Sequence, residues 1–154
     1  MKAVAIIALP LALILCFTLL SEGQSPIDLA QEAWSPQRVA ELRAEGRPVF
    51  VDFTAAWCVT CKVNEKLVLD QNRTKQLFSE TNTAFLVADW TNKNDVIAAE
   101  LESYDRAGVP LYLVFSPQTL SGGDISVRGE VLPQVLTYNV LKEAIARAQN
   151  VAAP

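Results

Sequence analysis

Two cysteines three residues apart, Cys58 and Cys61, are the residues of this chain best suited to chemistry. At that spacing the two thiols can close a small disulfide ring. Cys58 is predicted to stand at the N-terminus of a helix, where unsatisfied backbone N–H groups and the helix dipole favour negative charge. We therefore expect a lowered pKa that makes Cys58 the attacking thiolate. Cys61, one turn further along and more buried, is expected to resolve the mixed disulfide.

Two other uses of this pair stay open: a purely structural disulfide and half of a metal site. The metal alternative has little support, because the pair supplies only two ligands and the sequence contains no histidine. The third cysteine, Cys16, lies inside an N-terminal apolar run. Trp57 directly precedes the pair and is expected to cover one side of it and to contact substrate. The pattern implies no cofactor and no metal.

Two carboxylates are spaced so that they can serve the cysteines. Asp52 lies within an apolar, strand-like run, and burial there raises the pKa of a carboxyl group. It is placed to take the proton from Cys61, although a solvated acid on a partly exposed strand is the alternative. Glu65 follows Cys61 by four residues and can point the same way on a helix, as a second proton acceptor or as an ordinary exposed glutamate.

A third candidate feature is Val109-Pro110, which follows Gly108 and opens another apolar run. If this peptide bond is cis, the preceding backbone is free to pair with a substrate strand beside the cysteines. Spacing alone favours the commoner trans form. Asp89 and Trp90 end a further strand, where functional loops are frequent, but Asp89 is equally explained as a cap for the next helix.

Alternating helices and strands must position these residues. Strands are predicted at Pro48 to Thr54, Thr83 to Trp90, Leu111 to Phe115 and Asp124 to Arg128. Helices are predicted from Pro36, Cys58, Arg73, Asn92 or Asn94, and Thr137, with Val63, Leu67 and Val68 inward on the second of them. The alternation favours parallel pairing and the final hairpin an antiparallel edge. We expect an α/β fold in which helices cover both faces of a mixed sheet.

The length and the composition of the chain indicate one domain and exclude some classes of function. The chain has 154 residues with 13 basic and 17 acidic side chains, a net charge of −4, which suits one domain and a short extra segment. An acidic chain without Lys/Arg clusters is a poor nucleic-acid binder, so no nucleic-acid partner is expected. Catalysis by histidine is excluded because there is none.

The N-terminus predicts export. Met1-Lys2 is followed by an uncharged, mostly apolar run to Ser21, so residues 1–23 are either a cleaved signal peptide or a retained membrane anchor. Residues 24–34 are then a leader and residues 35–150 the domain. Either alternative places the domain in an extracytoplasmic space, where disulfides persist.

Four separated motifs occur in order: Val51 to Glu65, Ala88 to Thr91, Gly108 to Val114 and Leu132 to Thr137. Together they resemble the thioredoxin superfamily, and within it the C-terminal periplasmic domain of the DsbD family of thiol:disulfide interchange proteins. The resemblance covers about residues 35–148. It implies a thioredoxin fold, a nucleophilic Cys58 and a resolving Cys61. It also implies that Asp52 and Glu65 tune the pair and that Pro110 is a cis-proline beside the substrate.

The same resemblance implies electron donation to oxidised periplasmic thiol proteins, such as disulfide isomerases or cytochrome c maturation factors. DsbD proteins feed this domain from their own multi-span membrane domain, whereas this sequence predicts at most one span. A separate membrane electron donor is therefore expected, with a monomer that is free to meet its partners. A thiol oxidase or isomerase is a second hypothesis. It is disfavoured because the residues between the cysteines, Val59 and Thr60, do not include the histidine found in strongly oxidising members of the superfamily. A non-enzymatic chaperone or Cu(I) carrier is a third.

Overall fold

The computed structural model describes residues 30–118 and 128–151. The predicted signal or anchor at residues 1–23 lies outside these ranges, as does nearly all of the strand predicted at Asp124 to Arg128. Within the described ranges, no helix has both the length and the apolar character needed to cross a membrane.

The described residues form five strands and five α-helices. The strands are β1 (Gln31–Ala33), β2 (Val49–Thr54), β3 (Ala84–Asp89), β4 (Leu111–Phe115) and β5 (Glu130–Leu132). The helices are α1 (Pro36–Ala44), α2 (Val59–Asn64), α3 (Asn72–Glu80), α4 (Asp95–Ser103) and α5 (Tyr138–Val151). A π-helical turn, Glu65–Leu69, continues α2 without a break.

The strands form one mixed sheet in the order β1-β3-β2-β4-β5. β3 pairs in parallel with both β1 and β2, whereas β4 pairs antiparallel with β2 and β5. Helices α2, α3 and α5 pack on one side, the first face, and α1 and α4 pack on the other, the second face. The predicted mixed sheet with helices on both sides is confirmed.

The edges of the sheet differ from the prediction. Residues 31–33 lie within the segment assigned to a leader, yet they form β1 and pair with Phe85 to Val87. Three residues of mixed polarity give too short a pattern to be recognised as a strand. At the other edge, the strand that pairs with β4 is Glu130–Leu132, which lies after the predicted return strand.

The inward face of α2 also differs from the prediction. Val68 is buried as expected, but Val63 and Leu67 are 49% and 61% exposed. The buried positions of the helix are instead Cys61 and Asn64. Successive helical residues are rotated by about 100°, so with Asn64 turned inward its neighbour Val63 faces solvent. The prediction chose the inward face by side-chain type and was wrong for these two residues.

Local sequence signals at other helix ends are confirmed. The Ser35 hydroxyl accepts a hydrogen bond from the backbone N–H of Arg38 at 3.0 Å, and Pro36 occupies the first helical position of α1. Asn94 caps α4 by accepting from two backbone N–H groups of the first turn. Gly46, with a φ of 78°, follows the end of α1 in a conformation that glycine tolerates.

Candidate functional site

Cys58 and Cys61 are joined by a disulfide, with their Cα atoms 5.3 Å apart. Cys58 is the N-cap of α2, and its Sγ accepts a hydrogen bond from the backbone N–H of Cys61 at 3.2 Å. Cys58 is 7% exposed and Cys61 is fully buried. Only Cys58 can therefore be reached by another molecule, as the predicted division between attacking and resolving cysteine requires.

The segment that presents Cys58 is held by Thr91. The backbone N–H of Ala56 donates to the Thr91 hydroxyl at 2.9 Å, and the Trp57 indole N–H donates to the Thr91 carbonyl at 3.2 Å. The Asp89 carboxylate in turn accepts from the hydroxyl and, at 2.8 Å, from the backbone N–H of Thr91. The loop after β3 thus fixes the turn between β2 and the cysteines.

These contacts decide between the two explanations of Asp89 that the sequence left open, a functional loop and a helix cap. Asn94, not Asp89, caps the following helix, so the capping explanation for Asp89 is wrong. The hydrogen bonds from Thr91 lower the pKa of Asp89. Trp90 packs at 6.2 Å between ring centroids from Trp57, which is itself 58% exposed. Trp57 therefore stands at the surface beside Cys58, where it can meet another molecule.

Asp52 lies in the middle of β2, six residues before Cys58, and is 1% exposed. Burial raises its pKa to about 8, nearby Glu65 adds to the rise, and Lys62 opposes it. Its Oδ1 atom has no hydrogen-bond partner among the described residues. A carboxyl group with this pKa can take up or release a proton near neutral pH.

Asp52 and Glu65 line one cavity of about 260 Å³, together with Ala56 and Lys62 from the segment that carries the cysteines. Glu65 is held there by the Thr54 hydroxyl at 2.6 Å and the Lys62 ammonium at 2.8 Å. Its side chain is only 24% exposed, so it faces this cavity rather than an open helix surface. The cavity has polar walls and is large enough to hold water.

The Val109-Pro110 peptide bond is cis. Val109 packs against the small cluster formed by Ala55, Cys58 and Cys61. The structure thus brings the start of β4 directly against the disulfide, where the sequence analysis placed the substrate-binding backbone.

Asn64 is a site residue that the sequence analysis missed. It is 3% exposed, and its side-chain amide donates to the Tyr112 hydroxyl at 2.9 Å and to the Gln134 carbonyl at 2.7 Å. Its side-chain oxygen accepts from the backbone N–H of Leu136 at 3.2 Å. The amide therefore ties the cysteine-bearing helix to β4 and to the loop before α5. Its position three residues after Cys61, on the same side of the helix, was the available signal.

Tyr112 connects this clamp to the buried acid. It is the register partner of Asp52 across β2 and β4, so both side chains lie on the first face. Burial, with a further contribution from Asp52, raises the pKa of the Tyr112 hydroxyl. Across residues 30–118 and 128–151, no three histidine, cysteine or acidic side chains are grouped so that they could hold a metal ion.

Comparisons with known proteins agree with this geometry. Residues 30–117 match the family model described as thioredoxin-like. The chain is 33% identical over 93 residues to the thiol:disulfide interchange protein DsbD 1 of Pseudomonas aeruginosa, covering 60% of this chain and 15% of that protein. It is 37% identical over 84 residues to DsbD of Yersinia pestis, covering 54% of this chain and 14% of that protein. The chain thus spans about one seventh of the length of these relatives.

Two solved structures show the same fold. One is the oxidised DsbD C-terminal domain of Neisseria meningitidis, with a TM-score of 0.56 and 22% identity over 77% of this chain and 99% of that one. The other is a thioredoxin of Thermus thermophilus, with a TM-score of 0.57 and 16% identity over 77% of this chain and 85% of that one. The chain therefore belongs to the thioredoxin-like family, is related to DsbD, and carries the Cys58–Cys61 redox pair on a thioredoxin fold.

Proposed function

We propose that this protein is a thiol:disulfide oxidoreductase that passes electrons from its reduced Cys58/Cys61 pair to oxidised proteins of the periplasm. The observation that carries the proposal is the disulfide itself. It caps α2 with one reachable and one buried sulfur and packs against Val109, while Ala56 and Lys62 from the same segment line the cavity that holds Asp52. The relatives named thiol:disulfide interchange proteins support thiol–disulfide exchange as the reaction.

The exchange takes place in two balanced steps. The Cys58 thiolate attacks one sulfur of the partner disulfide; a bond forms to Cys58 while the partner bond breaks and its other sulfur leaves as a thiolate. Cys61 then loses its proton and attacks the sulfur of Cys58. The Cys58–Cys61 bond forms, the mixed disulfide breaks, and the partner leaves with two electrons. The oxidised pair that remains is the state seen in the structure.

Asp52 is proposed as the acceptor of the Cys61 proton, with Glu65 as a second acid on the same cavity. The Asp52 pKa of about 8 is close to the ordinary pKa of a free cysteine thiol, about 8.5, which suits proton transfer between the two groups. The cavity then returns the proton to solvent or to the leaving thiolate. Trp57, Val109 and Pro110 are proposed to contact the partner, because Trp57 is exposed next to Cys58 in the chain and Val109, joined to Pro110 by the cis bond, packs against the cysteine cluster.

We further propose that the domain works in the periplasm as a monomer, and that a separate membrane protein reduces it. The uncharged run from Ala3 to Ser21 supports export.

Reduction of insulin by the dithiothreitol-reduced protein tests the activity. Wild-type protein should accelerate it, and Cys58→Ser should abolish the acceleration. Cys61→Ser should instead accumulate a mixed disulfide with the substrate, because attack proceeds but resolution does not. Acceleration that survives Cys58→Ser would refute the proposed chemistry.

The direction of electron flow is tested separately by equilibrating the pair with glutathione buffers. A reductant should have a potential of roughly −200 to −270 mV, the range of glutaredoxins and thioredoxin. A potential near about −120 mV, as in a strong oxidant, would reverse the assigned direction and favour disulfide formation.

A further inference from the structure

Exposed apolar side chains are concentrated around α2. Seven large apolar side chains among the described residues are exposed, and five of them lie on or beside this helix. The five are Trp57, Val59, Val63, Leu67 and Val135. Clustered exposed apolar groups on a soluble domain commonly mark an interaction surface, whereas single ones do not.

Three of these residues form a continuous stripe. Val59, Val63 and Leu67 recur every fourth residue, so they stack along one side of the helix over roughly 12 Å. Their exposed fractions are 77%, 49% and 61%. The stripe begins next to Cys58 and leads away from it along the helix axis.

Asn64 brings Val135 alongside the same helix. Its amide group binds the carbonyl of Gln134 and the N–H of Leu136, the backbone groups on either side of Val135. Val135 is left 71% exposed on a loop that is anchored to α2. We call Val63, Leu67 and Val135 the α2 ridge.

One lysine without an ion pair among the described residues lies beside the ridge, in a chain that is acidic overall. Lys62 and Lys66 each precede a ridge residue of α2 and are exposed. Lys62 is neutralised by Glu65 at 2.8 Å, whereas Lys66 enters no ion pair with any residue that the structure describes. The ridge therefore favours an apolar segment that also carries an acidic group.

We propose that the α2 ridge is a second docking surface for the disulfide-bearing partner protein, contacted by an apolar, acidic segment of that partner while its sulfur is bonded to Cys58. This inference rests on the proposed function. Its physical basis is continuity: Trp57 and Val59 border the reachable sulfur, and the ridge extends the same apolar surface by two helical turns. A small disulfide reaches only Cys58, whereas a protein covers both regions.

The test compares a protein disulfide with a small one. Reduced wild type and the double variant Val63→Ser/Leu67→Ser are assayed with insulin, which is acidic at neutral pH, and with bis(hydroxyethyl) disulfide. The matched control is Val96→Ser, which removes an apolar side chain of similar exposure, 57%, from α4 on the second face. All three residues are exposed, so the variants should fold, as checked by circular dichroism.

The double variant should lose about tenfold in kcat/KM for insulin and nothing for the small disulfide, while the control matches wild type in both assays. An unchanged insulin rate, or an equal loss with both substrates, would overturn the ridge proposal. If wild type reduces neither substrate, the proposed function itself fails, which is a different result.

Further experiments test the charge of Lys66 and the kind of molecule that binds the α2 ridge. Lys66→Glu should lower kcat/KM for insulin by about threefold at low salt, an effect that fades at high salt. Two results would assign the ridge to another occupant and overturn the proposal. One is a wild-type dimer that the double variant abolishes, measured by analytical ultracentrifugation. The other is ridge-dependent binding to vesicles of phosphatidylglycerol.

Discussion

The two faces of the sheet are built from the same strands but differ in polarity. On the second face, β2, β3 and β4 present apolar side chains at every buried position. These are Val49, Val51 and Phe53; Ala84, Leu86 and Ala88; and Leu111, Leu113 and Phe115. On the first face the same strands present Asp52, Thr54 and Tyr112 beneath α2, with Asn64 facing them from the helix.

This difference separates a scaffold from a site. Burying an unpaired polar group costs free energy, so polar groups persist in a core where they are paired or where chemistry uses them. Thr54 and Tyr112 are hydrogen-bonded to α2 and its π-helical turn, whereas Oδ1 of Asp52 has no partner among the described residues. The second face is apolar throughout, whereas the first face combines an apolar cluster around Phe50 with a polar end beneath α2, where an unpaired carboxyl group has a raised pKa.

The largest expected effect comes from the scaffold. Leu113 is fully buried on the second face, so Leu113→Ala leaves a cavity and should lower the free energy of unfolding by roughly 2–5 kcal/mol. The reduction potential of the cysteine pair should not move. Urea denaturation and glutathione equilibration measure the two quantities, and a shifted potential would show that the faces are not independent.

Asp52→Asn, in contrast to Leu113→Ala, should raise the free energy of unfolding. The folded protein holds the Asp52 proton up to about pH 8, whereas the unfolded chain releases it near the ordinary pKa of 3.8. The free energy of unfolding of the wild type should therefore fall as pH rises from about 4 to about 8. The variant cannot ionise, so it should lack this slope and be more stable by roughly 2–4 kcal/mol at neutral pH.

Activity gives the complementary measurement for the same variant. If Asp52 accepts the Cys61 proton, the resolving step of the wild type should accelerate as pH rises through about 8, because the base becomes ionised. Asp52→Asn should be slower and lose this rise. A variant that keeps the wild-type pH–rate profile would leave Asp52 no part in proton transfer.

Asn64→Ala should lower the free energy of unfolding less than Leu113→Ala does, but more than a surface substitution does. It removes three hydrogen bonds between α2, Tyr112 and the loop at Gln134 to Leu136, and should lower the free energy of unfolding by roughly 1–3 kcal/mol. Tyr112→Phe removes only one of them and should cost about 1 kcal/mol. Equal losses in both variants would mean that the loop contacts contribute nothing.

The smallest effect is expected at Thr91. Thr91→Val keeps the side-chain shape but deprives the Ala56 N–H and the Asp89 carboxylate of a partner, at a cost of roughly 0.5–1.5 kcal/mol. Thr60→Val, at an exposed position of α2, is the control and should stay within about 0.5 kcal/mol of wild type. Indistinguishable variants would show that Thr91 does not stabilise the turn before Cys58.

The sequence alone determined the features that depend on short-range patterns. The spacing of Cys58 and Cys61 predicted a disulfide, which the structure contains, and the apolar run around Asp52 predicted a buried acid with a raised pKa. Alternating helix and strand patterns predicted a mixed sheet covered on both faces. Each of these follows from residues close together in the chain, where burial is recorded directly in side-chain type.

Tertiary structure alone decided which side of α2 faces the core and what holds the site in place. Asn64 turns inward because β4 and the loop before α5 offer its amide three partners, and Val63 and Leu67 are exposed as a result. The link from Thr91 to Trp57 and the contact of Val109 with the disulfide likewise join segments more than 30 residues apart. Hydrophobic periodicity predicts that a segment is a helix or a strand with a buried face. Contacts between distant segments depend on the packing of the whole domain.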